Sequence, residues 1–384
     1  MAIETFDPQT DEDRAEGDDE VRARPRLVGA WQAGVALGVC LLLWTLLAAP
    51  ILERNASAGP VGARRTAALA VLRPFVAIAG RIGLLSATGS VERALGDDPD
   101  AQAGGELVLP EFDLPPEVLG RTPVAPVPSA QPTTEPEPRD QAEGGRDETE
   151  RDDPPPEPEG IREPTSTNKL RVAVVGDSLS QGLGPAIERW MDPGVVRVLS
   201  LGRQSTGLSR QDYFNWQAGM RQIVEEFRPD LVFILLGSND AQAQIAPSGA
   251  AIPVGSIEWV QGYRDQAERL LSEATGAGTR VVWVGIPIVE DRDRWDFYRR
   301  VNDVYRQVAQ DDPLATYLDA WSLFRAKDGG YRAFVRNERG LLQEMRAPDG
   351  IHFTPNGYAF LGRMALRTAA ESFDLPQRAV IFRL

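Results

Sequence analysis

The sequence is poor in the residues that bind zinc or form disulfides. It has one cysteine, Cys40, and one histidine, His352. A lone cysteine excludes an intrachain disulfide. A zinc centre usually draws on several His or Cys ligands, so none is expected here, and no cofactor either. Counting alone leaves open a carboxylate-bound Mg²⁺ or Ca²⁺. Lysine is nearly absent as well, at Lys169 and Lys327 only; arginine carries the positive charge. The formal net charge is −15, and residues 1–168 account for all of it, with 30 acidic and 15 basic residues. Residues 169–384 hold 26 of each and are neutral. An acidic front half argues against a nucleic-acid partner, because phosphate binding needs clustered Lys and Arg. Two motifs are also missing. The glycines of GDSLSQGLG (176–184) do not make G-x-G-x-x-G, and there is no G-x-S-x-G elbow. Dinucleotide binding and the α/β-hydrolase arrangement are therefore disfavoured. No internal repeat occurs.

One long hydrophobic run is present. Residues 28–52, VGAWQAGVALGVCLLLWTLLAAPIL, carry no charge over 25 positions. About 20 apolar residues suffice to cross a bilayer, so 27–52 reads as a transmembrane anchor behind a disordered acidic tail, 1–26. The small residues of ASA at 56–58 suit a signal cleavage site, but the run is longer than the ~7–15 residues of a signal core. An uncleaved anchor is the better reading. Arg14, Arg22, Arg24 and Arg26 precede the run; Arg54, Arg64 and Arg65 follow it. That balance tilts slightly toward a cytoplasmic N-terminus, with the rest of the chain in the periplasm or another extracytoplasmic space. Residues 53–96 are juxtamembrane. Arg73, Pro74 and Arg81 interrupt their apolar stretch, which favours an interfacial amphipathic segment over a second span. Residues 97–168 are rich in Pro, Glu, Asp and Gly and read as a disordered, self-repelling spacer.

From Lys169 short apolar runs alternate with amphipathic ones. Strands are expected at 170–176, 195–201, 231–237 and 279–287, with a fifth within 315–321. Helices are expected at 185–191, 211–227, 256–275, 294–310 and 354–373. The third strand, LVFILLG, is apolar throughout, as a parallel strand covered on both faces should be. The pattern implies an α/β domain over 169–384, with a doubly wound five-stranded parallel sheet. In such sheets the site lies beyond the carboxyl ends of the strands.

Four polar groups fall there. Gly176-Asp177-Ser178 follows the first strand, and Gly202 to Gly207 (GRQSTG) the second. Gly237-Ser238-Asn239-Asp240 follows the third. Asp349-Gly-Ile-His352 precedes the last helix. Serine is a common helix N-cap, but a capping Ser178 would explain none of the other three segments. Together they supply what acyl transfer needs. The serine hydroxyl is weak until a base takes its proton, and His352 is the sole imidazole. Asp349, three residues before it, is close enough to fix its tautomer. The backbone N–H groups of Ser178 and Gly207 and the amide of Asn239 could face an oxyanion.

GDSL at 176–179, the glycine after the second strand, GSND at 237–240 and DGIH at 349–352 resemble, in order and spacing, the four blocks of the SGNH (GDSL-type) hydrolases and acyltransferases. STGLSRQDYFNW, LGSNDAQ and DGIHFTPNGY are more similar to a bacterial subfamily of unknown function, the DUF459 type. The resemblance implies a flavodoxin-like fold, Ser178 as nucleophile, His352 as base and Asp349 as its partner. It implies Gly207 and Asn239 in the oxyanion hole. The family's second block usually has an Asn ahead of its glycine; here that stretch is SLGRQSTG, and Gly207 is preferred to Gly202. With the anchor and spacer, this implies a membrane-tethered serine esterase or O-acyltransferase. Its partners would be short acyl, mainly acetyl, esters of an envelope polysaccharide or peptidoglycan. A non-catalytic glycan-binding module on the same fold and a lipid esterase are the alternatives.

Other residues compete for roles. Asp177 is read as organising its turn, and Asp240 as capping the following helix. Asp319, at the end of the fifth strand, is a rival partner for His352. Trp295, Phe297 and Tyr298 are weighed as cleft-lining residues against core packing.

Overall fold

A computed structural model describes residues 30–58, 62–81, 160–337 and 339–383, with a few positions between 107 and 112. The acidic tail and nearly all of the expected spacer lie outside the described residues. The uncharged run is helical: α1 covers Ala30–Ala58, 29 residues, or about 44 Å at the usual rise. Trp31, Val35, Leu37, Leu41 and Trp44 are exposed on it; the side chains of Ala33, Leu42 and Ile51 lie outside the described residues. Among the described residues, no helix is long and apolar enough to cross a membrane. A second helix, α2 (Ala63–Arg81), contains Pro74. It packs on α1, with Arg73 Nε 3.6 Å from Glu53.

From Leu170 strands and helices alternate in chain order: β1 (Leu170–Gly176), α3 (Ser178–Trp190), β2 (Val196–Gly202), α4 (Trp216–Glu226) and β3 (Leu231–Leu235). A small antiparallel pair follows, β4 (Gln244–Ile245) and β5 (Ala251–Ile252), then α5 (Ile257–Thr275) and β6 (Arg280–Val284). The chain continues through α6 (Trp295–Gln310), β7 (Ala315–Leu318) and α7 (Ala320–Phe324). A hairpin, β8 (Phe334–Arg336) and β9 (Leu342–Glu344), leads to α8 (Pro355–Phe373). The main sheet is parallel throughout, in the order β2-β1-β3-β6-β7. Helices α3 and α8 pack together, as do α4, α5 and α6. Every residue of β1 and β3 is buried, so both faces of the central strands are covered, which explains their unbroken apolar sequences.

The order reverses at β1, whose neighbours are β2 and β3. Gly176 pairs with Gly202 on one side and with Leu235 on the other. The carboxyl ends of three strands therefore finish level, and the loops leaving them diverge over a crevice.

Several boundaries differ from expectation for local reasons. The helix expected at 185–191 begins at Ser178, because Asp177 caps it there. The helix expected at 211–227 begins only at Trp216, where the Asn215 side chain accepts from Ala218 N–H at 3.0 Å. The ordered domain also begins before Lys169. Ile161 is buried and its N–H donates to Phe373 O at 2.8 Å. Arg162 grips Asp230 through two bonds of 2.9 Å. Further upstream, Leu107 is buried, and Phe112 packs on Phe227 at 4.8 Å between ring centroids. Among the described residues of the acidic segment, Leu107 and Phe112 thus dock on the domain.

Candidate active site

Ser178 is delivered by the end of β1. Gly176 has φ +144°, and a Cβ there would sit 1.8 Å from Leu235 O, so only glycine lets β1 pass β3 so closely. Asp177 then caps α3: its Oδ1 accepts from Leu179 N–H at 2.9 Å. The capping task falls to Asp177, and the Ser178 hydroxyl faces elsewhere. It lies 2.9 Å from His352 Nε2. The other ring nitrogen, Nδ1, lies 2.6 Å from Asp349 Oδ2. A carboxylate at that distance favours the tautomer with its proton on Nδ1, leaving Nε2 to accept from the serine. Asp349 Oδ1 accepts from Ile351 and His352 N–H groups, each at 2.9 Å, an Asx turn that aims the histidine. Burial pushes the Asp349 carboxyl up, but the hydrogen bonds from the His352 ring and these two N–H groups outweigh it and hold it below the usual range. The His352 and Asp349 side chains are 38% and 49% exposed; the line of three opens to solvent.

Beneath it lie two fully buried carboxylates. Asp177 Oδ2 accepts from Gly237 N–H at 3.1 Å, Ser238 N–H at 2.9 Å and Ser238 Oγ at 2.7 Å. This ties the exit of β1 to that of β3. Burial raises its pKa to about 6 against the pull of those donors. The organising role read for Asp177 is the one its contacts describe.

Asp240 does not cap the following helix, contrary to expectation. It turns back to the loop after β2, where its oxygens accept from Leu208 N–H at 2.9 Å and Ser209 N–H at 2.8 Å. Tyr263 Oη donates to it at 2.7 Å and also contacts Tyr305 Oη. Burial raises the Asp240 pKa too. A Cβ on Gly207 would lie 2.1 Å from Asp240 Oδ1, so the position is closed to any other residue. Asn239 Nδ2 donates to Thr206 O at 3.0 Å, and Trp216 Nε1 donates to Thr206 Oγ1 at 3.1 Å. Gly207 and Asn239 are thereby fastened to each other across the crevice. Gly202 instead lies under α3, where a Cβ would meet Gln181 at 2.4 Å.

The rival assignments resolve by geometry. Asp319 caps α7, accepting from Ser322 N–H at 3.1 Å and Ser322 Oγ at 2.7 Å; it is not the partner of His352. Trp295 and Phe297 are half-buried and Tyr298 is buried, and all three make packing contacts. Trp295 meets Trp321 edge-on at 5.7 Å and donates to Val289 O at 2.7 Å. Phe297 lies against Trp259 at 5.5 Å, and buried Tyr298 donates to Ser238 O at 2.9 Å. Two features had no signal in the sequence: the Tyr263–Tyr305 pair behind Asp240, and buried Arg346 behind the histidine loop.

A family model described as "Protein of unknown function (DUF459)" matches residues 171–368, from β1 into α8. The chain belongs to this family. Among curated proteins, none matches the sequence. Solved structures show similarity at low identity. A putative acylhydrolase from Bacteroides fragilis is 14% identical, covering 56% of this chain and 92% of its own, with a TM-score of 0.39. A catalytic mutant of an acetylxylan esterase from Geobacillus stearothermophilus is 16% identical, covering 52% and 94%, with a TM-score of 0.36. The C-terminal catalytic domain of a Streptococcus pneumoniae peptidoglycan O-acetyltransferase is 16% identical, covering 54% and 95%, with a TM-score of 0.35. The DUF459 description assigns no chemistry.

Proposed function

We propose that this DUF459 member is a serine esterase or O-acyltransferase of the SGNH type. The observation that carries the reading is the contact line Ser178 Oγ, His352 Nε2, His352 Nδ1, Asp349 Oδ2, at 2.9 and 2.6 Å. Its three side chains come from two segments 171 residues apart, and the line is what a serine needs to become a nucleophile. In the proposed reaction Ser178 Oγ attacks an ester carbonyl while its proton passes to His352 Nε2. Asp349 stabilises the imidazolium. The carbonyl oxygen, now negative, takes hydrogen bonds from the Ser178 and Gly207 N–H groups and the Asn239 amide; each such donor contributes about 2.7–4 kcal/mol. The Ser178 N–H opens α3 and has no acceptor within the helix. The tetrahedral intermediate collapses, the C–O bond to the alcohol breaks, and His352 returns the proton to the departing oxygen. His352 then deprotonates a second acceptor, which attacks the acyl-Ser178 carbonyl and frees the serine. Water makes the protein a hydrolase; a sugar hydroxyl makes it a transferase.

The proposed substrates are acetyl or other short acyl esters on envelope glycans. The openness of the His352–Asp349 pair supports a polymer-borne ester over a long acyl chain, which would need an enclosed apolar tunnel. The proposed location is extracytoplasmic, with residues 27–52 as anchor; the uncharged run and the exposed apolar side chains of α1 support this. The test is p-nitrophenyl acetate cleavage by the full chain beside Ser178→Ala, with intact mass recorded. The expected outcome is turnover, or an acetyl adduct, in the wild type and neither in the variant. Equal turnover in both would overturn the nucleophile. No turnover and no adduct in a folded wild type would favour a glycan-binding module.

A further inference from the structure

Arg346 lies just after β9 and is fully buried. Its guanidinium is spent on backbone carbonyls. Nε donates to His352 O at 3.3 Å, Nη2 donates to Ile351 O, and Nη1 donates to Ile288 O. Phe353, Tyr331 and Phe324 surround it, with ring centroids 4.6, 5.5 and 5.9 Å from Cζ. Burial lowers its pKa to about 10. A buried charge is costly unless it is hydrogen-bonded; here three carbonyls and the aromatic faces offset that cost, and the carbonyls show what the guanidinium holds.

The three carbonyls differ in what they are attached to. Ile288 follows β6 and is fully buried, so its carbonyl is fixed relative to the sheet. Ile351 and His352 belong to the loop that carries the proposed base. Most other bonds of that loop are internal: Ala347 N–H to His352 O at 2.8 Å, Gly350 N–H to Ala347 O at 3.0 Å, and the Asp349 turn. These set the shape of the loop and travel with it. The bonds that tie it to the β6 exit are those through Arg346 and one from Glu290 N–H to Gly350 O at 3.0 Å. A planar guanidinium can hold several carbonyls in one plane; an ammonium cannot.

We propose that Arg346 is the positioning residue of the acid–base loop: by bracing the Ile351 and His352 carbonyls against that of Ile288, it sets the reach of His352 Nε2 to Ser178 Oγ. The kinetic readout of this role rests on the serine-esterase reading; a spectroscopic one does not. The sole histidine makes the second readout clean, because in full chain labelled with ¹⁵N-histidine every imidazole signal belongs to His352. The Nδ1 proton bonded to Asp349 should give one low-field resonance. In Arg346→Met that resonance is expected to shift or broaden while thermal unfolding stays cooperative. For p-nitrophenyl acetate kcat should fall about 100-fold with KM changed less than about threefold, as expected of a misplaced catalytic group. Arg346→Lys should fall between the two. A folded Arg346→Met with wild-type kcat and an unmoved resonance would overturn the proposal. So would a loss of kcat that only tracks the folded fraction, with the resonance unmoved. Should the Met variant not fold, Arg346→Lys is judged by the same criteria. If the wild type shows no Ser178-dependent turnover, the esterase reading fails, and the resonance still decides the role of Arg346.

Discussion

On the nucleophile side of the site, Asp177 and Asp240 gather backbone N–H groups from the first turn of α3 and from the loops after β2 and β3. On the base side, Arg346 gathers backbone carbonyls from two loops. The two sides solve one problem with opposite charge. Loops at a sheet edge carry backbone groups that no strand or helix satisfies, and a buried group of the complementary sign can collect several at once. An anion collects donors from the loops beside Ser178 and Gly207, whose own N–H groups would serve the oxyanion in the proposed reaction. A cation collects acceptors, which holds the histidine loop without competing for its ring nitrogens. The His352 and Asp349 side chains themselves stay partly open to solvent. Rigidity is built below the site and access above it.

The comparison is broken most severely at the base. His352→Gln should lower turnover of an acetyl ester by about 10⁴-fold, with the unfolding midpoint close to wild type, because the side chain is 38% exposed. Stopped turnover assays and chemical denaturation on the same preparation check both halves; retained activity would remove the imidazole from the mechanism. The donor side should be gentler. Asn239→Ala deletes one of three proposed oxyanion donors and should cost about 10²–10³-fold in kcat with little change in KM. A loss confined to KM would mean that Asn239 grips substrate instead.

The smallest effect separates the buried anions from the exposed one. Burial raises Asp177 from 3.8 to about 6. Below the lower value it is protonated in both folded and unfolded states. Between the two values folding requires it to take up a proton, so stability falls as pH rises, by about 3 kcal/mol in all. Above about 6 the difference stays constant. Asp349 has the opposite sign: its lowered pKa adds stability above the usual carboxylate range that is lost as pH falls through the folded value. Urea titrations of wild type and Asp177→Asn from pH 4 to 7 should therefore diverge as pH rises, the wild type losing ground. Parallel curves would show that the four donors on Asp177 cancel the cost of its burial.

Much of the fold was legible in the chain. Continuous apolar runs such as LVFILLG mark strands covered on both faces, and each expected main-sheet strand overlaps an observed one. Boundaries were less legible where a side chain sets them: Asp177 starts α3 at Ser178, and Asn215 delays α4 to Trp216. The β8–β9 hairpin was missed because its residues, half-exposed or exposed, have neither the length nor the alternation of a sheet strand. The docking of Leu107 and Phe112 was hidden by the acidic, proline-rich composition around them.

The order of the polar blocks along the chain, and the lone histidine, determined which residues could do chemistry. They could do so because the reactive types are scarce and each follows a strand or precedes a helix. Which of those residues meet was decided only in three dimensions. Asp349 is favoured on paper by the DGIH spacing with Asp319 as its rival, and the β7 turn uses Asp319 as a cap while the Asx turn presents Asp349 to His352. The tertiary contacts of Asp240, Tyr263 and Arg346 carry no local signal, because Asp240 turns to the loop after β2 and to Tyr263, and Arg346 reaches across to the Ile288 carbonyl. Sequence records which side chains are available, while the placement of unsatisfied N–H and C=O groups arises from the packing of the strands that end beside them.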